Sequence, residues 1–456
     1  MPGVQPFCAC QALPRFQGVI AMNLRFIPSG VFCALIGFAL VEPAAVFAAE
    51  IRVPAATDGV LTLDEALVRT RRANPELTAA AGELRAAAAR VRQAGRLPNP
   101  ELSVSLENVA GDGNYGGTAA GEWTVALSQP LELGGKRSLR REAAEIQRRL
   151  AATDQGRSHA DVLATARQRY VNVLAAQERL GLAREQVALA EKSLLVAEER
   201  IRAGKSPEID RLRLRGEADR ARLAVEQAER TLGIARQALA ASWNAPAPDF
   251  DTVAGELTGL PPQPALTEVE ASVAQTPEAT GRRLATALSG VELAQARAAR
   301  IPDPSLTVGW RRFQDDGSNA LLLGVSLPLP LFNRGDDEVD VAGSRLHSVQ
   351  AREQNARNEL LRQLRSAWQA LADARAEAEV LADRIVPAAA AGFAAAEFGY
   401  QAGKFGLLEL LDAQRTLFEA RLQQLAARAD CHLAAVELER LLGTEAGSPA
   451  QQLQTP

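Results

Sequence analysis

The stretch "SQPLELGGKR", residues 128–137, joins two patterns that rarely meet. Residues 123–128 alternate between apolar and polar side chains, which is the period of a β-strand with one apolar face. Residues 136–202 contain no proline and are rich in Ala, Leu, Glu, Arg and Gln, which are strong helix formers. A helix of that length spans on the order of 100 Å. The fold must therefore join a half-apolar strand to a helix too long for most globular domains.

The same alternation occurs four times along the chain. The connections "NVAGDGNYGGTAAG" at 108–121 and "QDDGSN" at 314–319 are rich in Gly, Asp and Asn, as hairpin loops require. On alternation alone, a soluble β-sandwich and a membrane β-barrel are equally good interpretations. The predicted strands lie near 101–107, 122–129, 304–313 and 319–328.

The chain also repeats itself at a spacing of about two hundred residues. "RLPNPELSVSLEN" from Arg96 matches "RIPDPSLTVGW" from Arg300, and "ANPEL" at 73–77 matches "QTPEA" at 275–279. The turn "AGK" at 203–205 likewise returns at 402–404. Because the landmarks recur in the same order, they predict a duplicated unit of helix, strand pair, very long helix, glycine turn and returning helix.

The duplication sets the predicted domain limits. The first repeat covers 60–243 and the second covers 267–443, and a Pro-rich equatorial linker at 244–266 joins them. Each repeat is expected to begin with one continuous helix, 62–96 in the first and 267–300 in the second. The second very long helix is predicted over 336–401, with Pro387 allowing a kink. Residues 444–456 are expected to form a disordered tail.

The first residues predict export. Residues 22–48 have a basic start, a short apolar stretch and small residues near the end, as a signal peptide requires. A membrane anchor fits less well, since Pro28 interrupts the apolar stretch and Glu42 ends it. Residues 1–21 lack this character and are interpreted as an over-extension of the reading frame. The mature chain then keeps a single cysteine, Cys431, so no intramolecular disulfide is expected.

The composition argues against several classes of function. Lys and Arg number 51 against 55 Asp and Glu, a net charge of −4, so nucleic acid is not expected as a partner. The chain has three histidines, His159, His347 and His432, and they are far apart in helical sequence. Its two methionines are too few to form a chain of binding sites for soft metal ions. We therefore expect no enzyme activity, no cofactor and no resident metal.

The strands bear on oligomeric state. In hydrocarbon an open sheet edge leaves backbone groups unpaired, so only closed barrels are stable there, and single-chain barrels begin at eight strands. Four strands cannot close alone, so several chains are expected to share one barrel in lipid. Glycines and prolines where strands meet helices are predicted to form the barrel–helix joints: Gly134, Gly135, Pro98, Pro100, Pro302 and Pro304.

Together, "LTLDEAL", "LPNPELSVSLEN", "SQPLELGGKR", the two "AGK" turns and "LLDAQRTLFEAR" resemble the TolC-like outer-membrane efflux channels, and "QPLELGGKR" is similar to their cobalt-zinc-cadmium, heavy-metal RND branch. The resemblance implies a mixed α/β membrane protein. Each chain would give four strands to a trimeric twelve-strand outer-membrane β-barrel and long coiled helices to a periplasmic α-barrel. It also implies a homotrimer that works with a periplasmic adaptor (membrane fusion protein) and an inner-membrane RND pump.

The resemblance also implies roles for residues near the two glycine turns. Tyr400 and Asp210 would close the periplasmic tip, Phe405 stands where the drug-efflux channels have a basic residue, and Glu409 and Asp412 would form the channel constriction. The latter two are three residues apart and share a helix face, so three chains would present six carboxylates. The alternative interpretation is that they are solvated charges favoured by the helix dipole. The residues expected to dock the adaptor are Ala203, Gly204, Lys205, Ala402, Gly403 and Lys404.

Two alternatives remain open. One is an outer-membrane channel of the same family for drug efflux or type I secretion, since few motifs separate these substrate classes. The other is a periplasmic adaptor or structural coiled-coil protein. An adaptor should have one helical hairpin flanked by compact β domains, whereas this sequence has two predicted hairpins and two strand pairs.

Overall fold

The computed structural model describes residues 59–115 and 117–443. The chain divides into two units, Met1–Glu50 and Ile51–Pro456, and all described residues lie in the second. The predicted leader at 1–48 and the predicted tail at 444–456 lie outside the described residues. Among the helices of the described part, none has the combination of length and apolarity that a bilayer crossing requires.

The elements follow two similar series. The first contains β1 (Val60–Leu61), α1 (Leu63–Ala73), α2 (Pro75–Ala94), β2 (Glu101–Glu107), β3 (Glu122–Pro130), α3 (Lys136–Arg202) and α4 (Glu208–Ala240). The second contains β4 (Thr252–Val253), α5 (Leu266–Ser272), α6 (Pro277–Ala299), β5 (Ser305–Phe313), β6 (Asn319–Ser326), α7 (Asp336–Val380), α8 (Val386–Gln401) and α9 (Leu407–Leu442).

The main sheet is antiparallel with the order β2-β3-β5-β6. Each hairpin belongs to one repeat, and the β3–β5 pairing joins the repeats. One row across the sheet consists of Leu102, Leu127, Val308 and Leu323, all exposed apolar side chains on the same face. The opposite face carries Ser, Thr, Ala and Gly at most positions. The sheet therefore has one apolar face that this chain leaves uncovered, and its two outer strands, β2 and β6, have no neighbour in the described chain.

Helix α3 is the central helix of the described unit. It runs for 67 residues and packs against α2, α4, α6 and α9. Alanines recur along its buried positions, and small side chains allow neighbouring helices to approach closely. The hydroxyl of Tyr170, in the middle of α3, donates to the carbonyls of Leu61 at 3.0 Å or Ala254 at 2.6 Å. The largest core cluster lies around this tyrosine.

The linker contains regular structure that the sequence did not reveal. Strand β4 lies within 244–266 and pairs in parallel with β1, which places Val60 opposite Thr252. A two-residue strand carries too little alternation to be recognised by pattern. The pairing fastens the start of the first repeat to the linker beside Tyr170.

The expectation of one continuous helix at the start of each repeat was wrong. The first helix breaks at Asn74 and the second at Thr276, and a proline begins the next helix in each case. The Asn74 side chain accepts from the Glu76 N–H at 2.9 Å, and the Thr276 hydroxyl accepts from the Ala279 N–H at 3.3 Å. Capping residues followed by proline are a strong helix start, so each helix restarts at these positions.

The second long helical run stays helical past its proline. A π-helical segment, Leu381–Ile385, lies between α7 and α8 directly before Pro387. Proline has no N–H and its ring clashes with the carbonyl four residues earlier, so the wider turn accommodates it. The run from Asp336 to Gln401 thus continues through a local widening.

Candidate functional site: the helical turns and the strand–helix joints

The two turns that end the long helices have the same backbone hydrogen bonds. At the first turn the Lys205 N–H bonds to the Arg200 carbonyl at 2.8 Å, and at the second the Lys404 N–H bonds to the Gly399 carbonyl at 2.8 Å. Gly204 and Gly403 have φ of 70° and 74°, the left-handed conformation that this helix ending requires. We call the segments 203–207 and 402–406 the first and second tip turns.

The residues predicted to dock an adaptor all lie on the surface of these tip turns. They are Ala203, Gly204, Lys205, Ala402, Gly403 and Lys404, and each is exposed. A Cβ added at Gly204 would meet no atom within 4 Å. Each tip turn therefore offers an open surface of small residues with one lysine.

Arg200, which the sequence analysis did not single out, connects the two tip turns. Its guanidinium lies 4.7 Å above the centre of the Tyr400 ring and donates to the Tyr400 carbonyl at 2.7 Å. The same side chain donates to the Ser206 hydroxyl of the first tip turn at 3.2 Å. One arginine at the end of α3 thus links both long helical hairpins. Its stacking partner and carbonyl acceptor come from sequence 200 residues away, so no local motif could reveal the contact.

Tyr400 is buried in a small apolar cluster between the hairpins. Its neighbours there are Ala197, Leu214, Leu407 and Leu410. Its hydroxyl has no hydrogen-bond partner within the described residues, so it does not bond to Asp210 of the same chain. Asp210 is itself buried, one turn before Leu214 on α4.

Phe405 occupies the space above Gly399. A Cβ added at Gly399 would lie 2.2 Å from Phe405 Cδ2, so the ring packs directly on the α8 backbone. Any larger residue at position 399 would displace the ring. The second tip turn is therefore closed by an apolar contact at the position for which the resemblance implied a basic residue.

Glu409 and Asp412 are exposed on the first two turns of α9. They line a groove of about 650 Å³ between α4 and α9. The groove also contains Arg213, Arg220 and Arg415 together with Glu217, so the two carboxylates lie among charges of both signs from their own chain. Because both carboxylates are solvent-exposed, a neighbouring chain or a passing ion can reach them.

The first strand–helix joint is held by a pair that crosses the repeats. Lys136, the first residue of α3, donates to Asp303 Oδ2 at 2.8 Å and to the Ile301 carbonyl at 2.6 Å. The Leu133 N–H donates to the other Asp303 oxygen at 2.8 Å. Burial raises the pKa of the Asp303 carboxyl. The hydrogen bonds from Lys136 and Leu133 together lower it by more than burial raises it, so its pKa is below the usual range. Lys136 thus anchors the joint rather than extending freely into solvent.

The glycines and prolines of the joints shape the backbone around this pair. Gly134 and Gly135 have φ of 68° and 73°, and a Cβ at Gly134 would lie 2.8 Å from Ile301 Cδ1. The Pro304 carbonyl accepts from the Leu131 N–H at 2.8 Å, and the Pro98 carbonyl accepts from the Gln129 side chain at 3.0 Å. Pro100 directly precedes β2, and Pro302 lies in the corresponding non-helical segment, three residues before the start of β5.

The chain matches the family model described as "Outer membrane efflux protein" over residues 66–245 and 282–444. The chain belongs to the outer membrane efflux protein family. It is 34% identical over 394 residues to the cobalt-zinc-cadmium resistance protein CzcC of Cupriavidus metallidurans, covering 86% of this chain and 92% of that protein.

Solved structures share the fold of this efflux protein. A membrane protein from Pseudomonas aeruginosa superposes with a TM-score of 0.73 at 21% identity, covering 88% of this chain and 97% of that one. The open state of the MtrE outer membrane channel of Neisseria gonorrhoeae gives 0.71 at 21% identity, covering 86% and 93%. The fold class is therefore that of the outer-membrane channels, with long helices and a strand contribution, as expected.

The described residues of the efflux protein hold no group of three or more His, Cys, Asp or Glu side chains arranged for a metal ion. His432 is buried in α9, its Nε2 has no hydrogen-bond partner in the described part, and burial lowers the pKa of its imidazole. The backbone at Leu257 and Gly259 offsets part of that shift. His432 therefore packs as a neutral core residue beside the linker.

Proposed function

We propose that this outer membrane efflux protein is the channel of a tripartite RND-type system that exports divalent heavy-metal cations across the periplasm and the outer membrane. The observation that carries the proposal is the 34% identity to a cobalt-zinc-cadmium resistance protein over nearly its whole length. The cations are cargo that passes through the protein. Their selection and the driving force are assigned to an inner-membrane RND pump.

The assembly we propose is a homotrimer. The sheet contributes four strands, and β2 and β6 end it without a neighbour in the described chain. A lipid-embedded sheet needs every edge paired, and known single-chain barrels begin at eight strands. Three copies would give twelve strands whose apolar faces contact outer-membrane lipid.

The tip turns are the proposed contact with a periplasmic adaptor. Their exposed small residues leave room for another helical hairpin to approach the backbone, and Lys205 and Lys404 add one cation to each turn. Because the two tip turns share one backbone geometry, three copies would present six similar docking positions.

Closure of the tip is proposed to involve Tyr400 and Asp210, which lie on neighbouring hairpins and are both buried. The buried Tyr400 hydroxyl lacks a partner in the described chain, and a buried hydroxyl is stabilised when it gains one. Glu409 and Asp412 are proposed to form the constriction, where three copies would bring six carboxylates around one axis and favour cations over anions.

The test is deletion of the gene in its host, followed by growth on zinc, cadmium, cobalt, copper and a panel of drugs. We expect greater sensitivity to at least one divalent metal, restored by the wild-type gene on a plasmid. Loss of drug tolerance with unchanged metal tolerance would contradict the metal proposal and support the drug-efflux alternative. Unchanged growth under all conditions, with the protein shown to be expressed in the parent, would contradict both.

A further inference from the structure

Most apolar side chains on the two edge strands of the sheet are more exposed than those on the central strands, and Leu106 of β2, at 43%, is the exception. Leu323 and Val325 of β6 are each 73% exposed and Val104 of β2 is 62% exposed, whereas Leu127 and Val308 of the central strands are 48% and 45% exposed. Side chains in a sheet are covered partly by the strands on either side. The difference is what a missing lateral neighbour produces at each edge.

The chain contains a template for the missing pairing, because its two hairpins are equivalent. In the first hairpin Leu102 lies opposite Leu127, and in the second Leu306 lies opposite Val325. Both hairpins also align by sequence, "NPELSVSLE" with "DPSLTVGWR". Strand β2 therefore corresponds to β5, and β3 corresponds to β6.

The β3–β5 pairing shows how one hairpin joins the next. Leu127 of β3 lies opposite Val308 of β5. Val325 is the equivalent of Leu127, and Val104 is the equivalent of Val308. We propose that β6 of one copy pairs antiparallel with β2 of the next copy in this same register, so that Val325 lies opposite Val104 and Leu323 lies opposite Leu106. This register rests on the homotrimer of the proposed function and specifies its seam.

The glycines of the sheet support the register independently. At the internal junction, a Cβ added to Gly309 would lie 2.9 Å from the Ala126 Cβ, so glycine is required there. At Gly324 the only neighbour within 4 Å in its own chain is Thr307 Cβ at 3.8 Å, so nothing in this chain requires glycine.

The proposed register explains Gly324. It places Gly324 opposite Ser105 of the next copy, and these are the equivalents of Ala126 and Gly309. At the internal junction the glycine of the close pair is Gly309, on β5. At the seam the glycine of the equivalent pair is Gly324, on β6. A shift of two residues toward the loop would place Glu107 opposite Gly324, and a shift of one would set apolar against polar faces.

Disulfide crosslinking tests the register directly. Paired Cα atoms on neighbouring strands are about 4.5–5.5 Å apart, and a disulfide needs less than about 7 Å. A two-residue shift adds about 6.6 Å along the strand and prevents bonding. The variant Val104→Cys/Val325→Cys is therefore compared with Leu102→Cys/Val325→Cys and Leu106→Cys/Val325→Cys. Native Cys431 is retained in all variants, because it is buried and burial raises the pKa of its thiol, which makes it a poor partner for disulfide formation.

The positive control is Leu127→Cys/Val308→Cys, the equivalent pair inside one chain. We expect mild oxidation of the detergent-purified protein to give a covalent trimer with Val104→Cys/Val325→Cys at a yield matching the control. The two shifted pairs should give about a tenth of that yield or less, since their Cα atoms lie beyond bonding distance. Preferential crosslinking of a shifted pair would overturn the register.

The assembly state separates the two proposals. It is measured by light scattering before oxidation. If the protein is a trimer and no pair crosslinks while the control does, the seam is wrong and the homotrimer stands. A monomer in every preparation would remove the seam together with the homotrimer.

A second variant does not rely on oxidation. Gly324→Val suits a strand inside its own chain but places a branched side chain at the seam, so we expect it to lower the trimer fraction about tenfold. Ala320→Val is the matched control, because Ala320 is on the same face of β6 and its counterpart in the next copy falls beyond Glu107, the last residue of β2. Equal trimer fractions for the two variants would contradict the register.

Discussion

The guanidinium of Arg200 lies 4.7 Å from the centre of the Tyr400 ring, and its Nη1 donates to the Tyr400 carbonyl at 2.7 Å. The stacking and the hydrogen bond come from one side chain that also reaches the first tip turn through Ser206. Cation–π contacts and charged hydrogen bonds each stabilise by about 1–3 kcal/mol when partly buried. Arg200 is therefore the main polar link that we find between the hairpin ends in the described chain.

Replacement of Arg200 by alanine should let the tip turns separate. Spin labels at Ala203 and Ala402 should show a longer and broader distance distribution in Arg200→Ala than in the wild type. Arg202→Ala is the control, since Arg202 is exposed on the same helical turn. An unchanged distribution in Arg200→Ala would show that apolar packing around Tyr400 holds the turns without it.

A bulky residue at the second tip turn should block the adaptor. Gly403→Arg is expected to reduce metal resistance in the host while the protein still assembles and enters the outer membrane. Gly403→Asn is the control, because it carries similar strain at positive φ without the length of arginine. Equal resistance of the two variants at wild-type level would argue against docking at this turn.

Neutralising the proposed constriction should weaken ion selectivity. Glu409→Gln/Asp412→Asn removes two negative charges per chain without much change of shape, so the cation-to-anion permeability ratio in planar bilayers should fall severalfold. Asp219→Asn, which removes an exposed carboxylate on α4, serves as the control. A ratio equal to wild type would assign Glu409 and Asp412 to the solvated surface.

The joint between the repeats should contribute measurable stability. The Lys136 side chain is 20% exposed and the Asp303 side chain is 31% exposed, and the pair makes two further hydrogen bonds to the backbone. We therefore expect a coupling free energy of about 1.5–3 kcal/mol in the free energy of unfolding. The double-mutant cycle uses Lys136→Met and Asp303→Asn. The exposed Arg184–Glu229 pair is the control and should give about 0–1 kcal/mol. Equal coupling energies for the two pairs would be the contrary result.

The buried His432 should make stability depend on pH. Because burial lowers its folded pKa, the unfolded chain binds a proton first as pH falls below about 6.5, and the folded state loses stability from there downward. Between pH 7.5 and 5.5 the wild type should lose about 1 kcal/mol more than His432→Leu. Other titrating groups, including the partly buried Glu439, are common to both proteins. Parallel pH profiles of the unfolding midpoint would contradict this.

The strands and long helices could be predicted because their patterns are long. Seven to nine alternating residues define each strand of the main sheet, and the proline-free run after Gly135 defines α3. The helix starts at Pro75 and Pro277 fall within "ANPEL" and "QTPEA". Asn-Pro and Thr-Pro are capping signals, so these two starts are readable from the sequence although one continuous helix was predicted at each.

The contacts that organise the tips could not be predicted. Arg200 is one of 51 basic residues, and its role depends on the folded approach of α3 to α8. The contact of Lys136 with Asp303 likewise arises only because β3 pairs with β5. Such long-range contacts follow from topology, which local patterns do not encode.

The two unpaired edges of the sheet have a kinetic consequence. A lone copy has two open edges, and a pair of copies joined at one seam still has two. Only addition of the third copy pairs both remaining edges at once. The stabilisation from pairing all backbone groups of the edge strands is therefore gained almost entirely in this last association step. In the proposed trimer, assembly should therefore be strongly cooperative, with dimers scarce at every protein concentration.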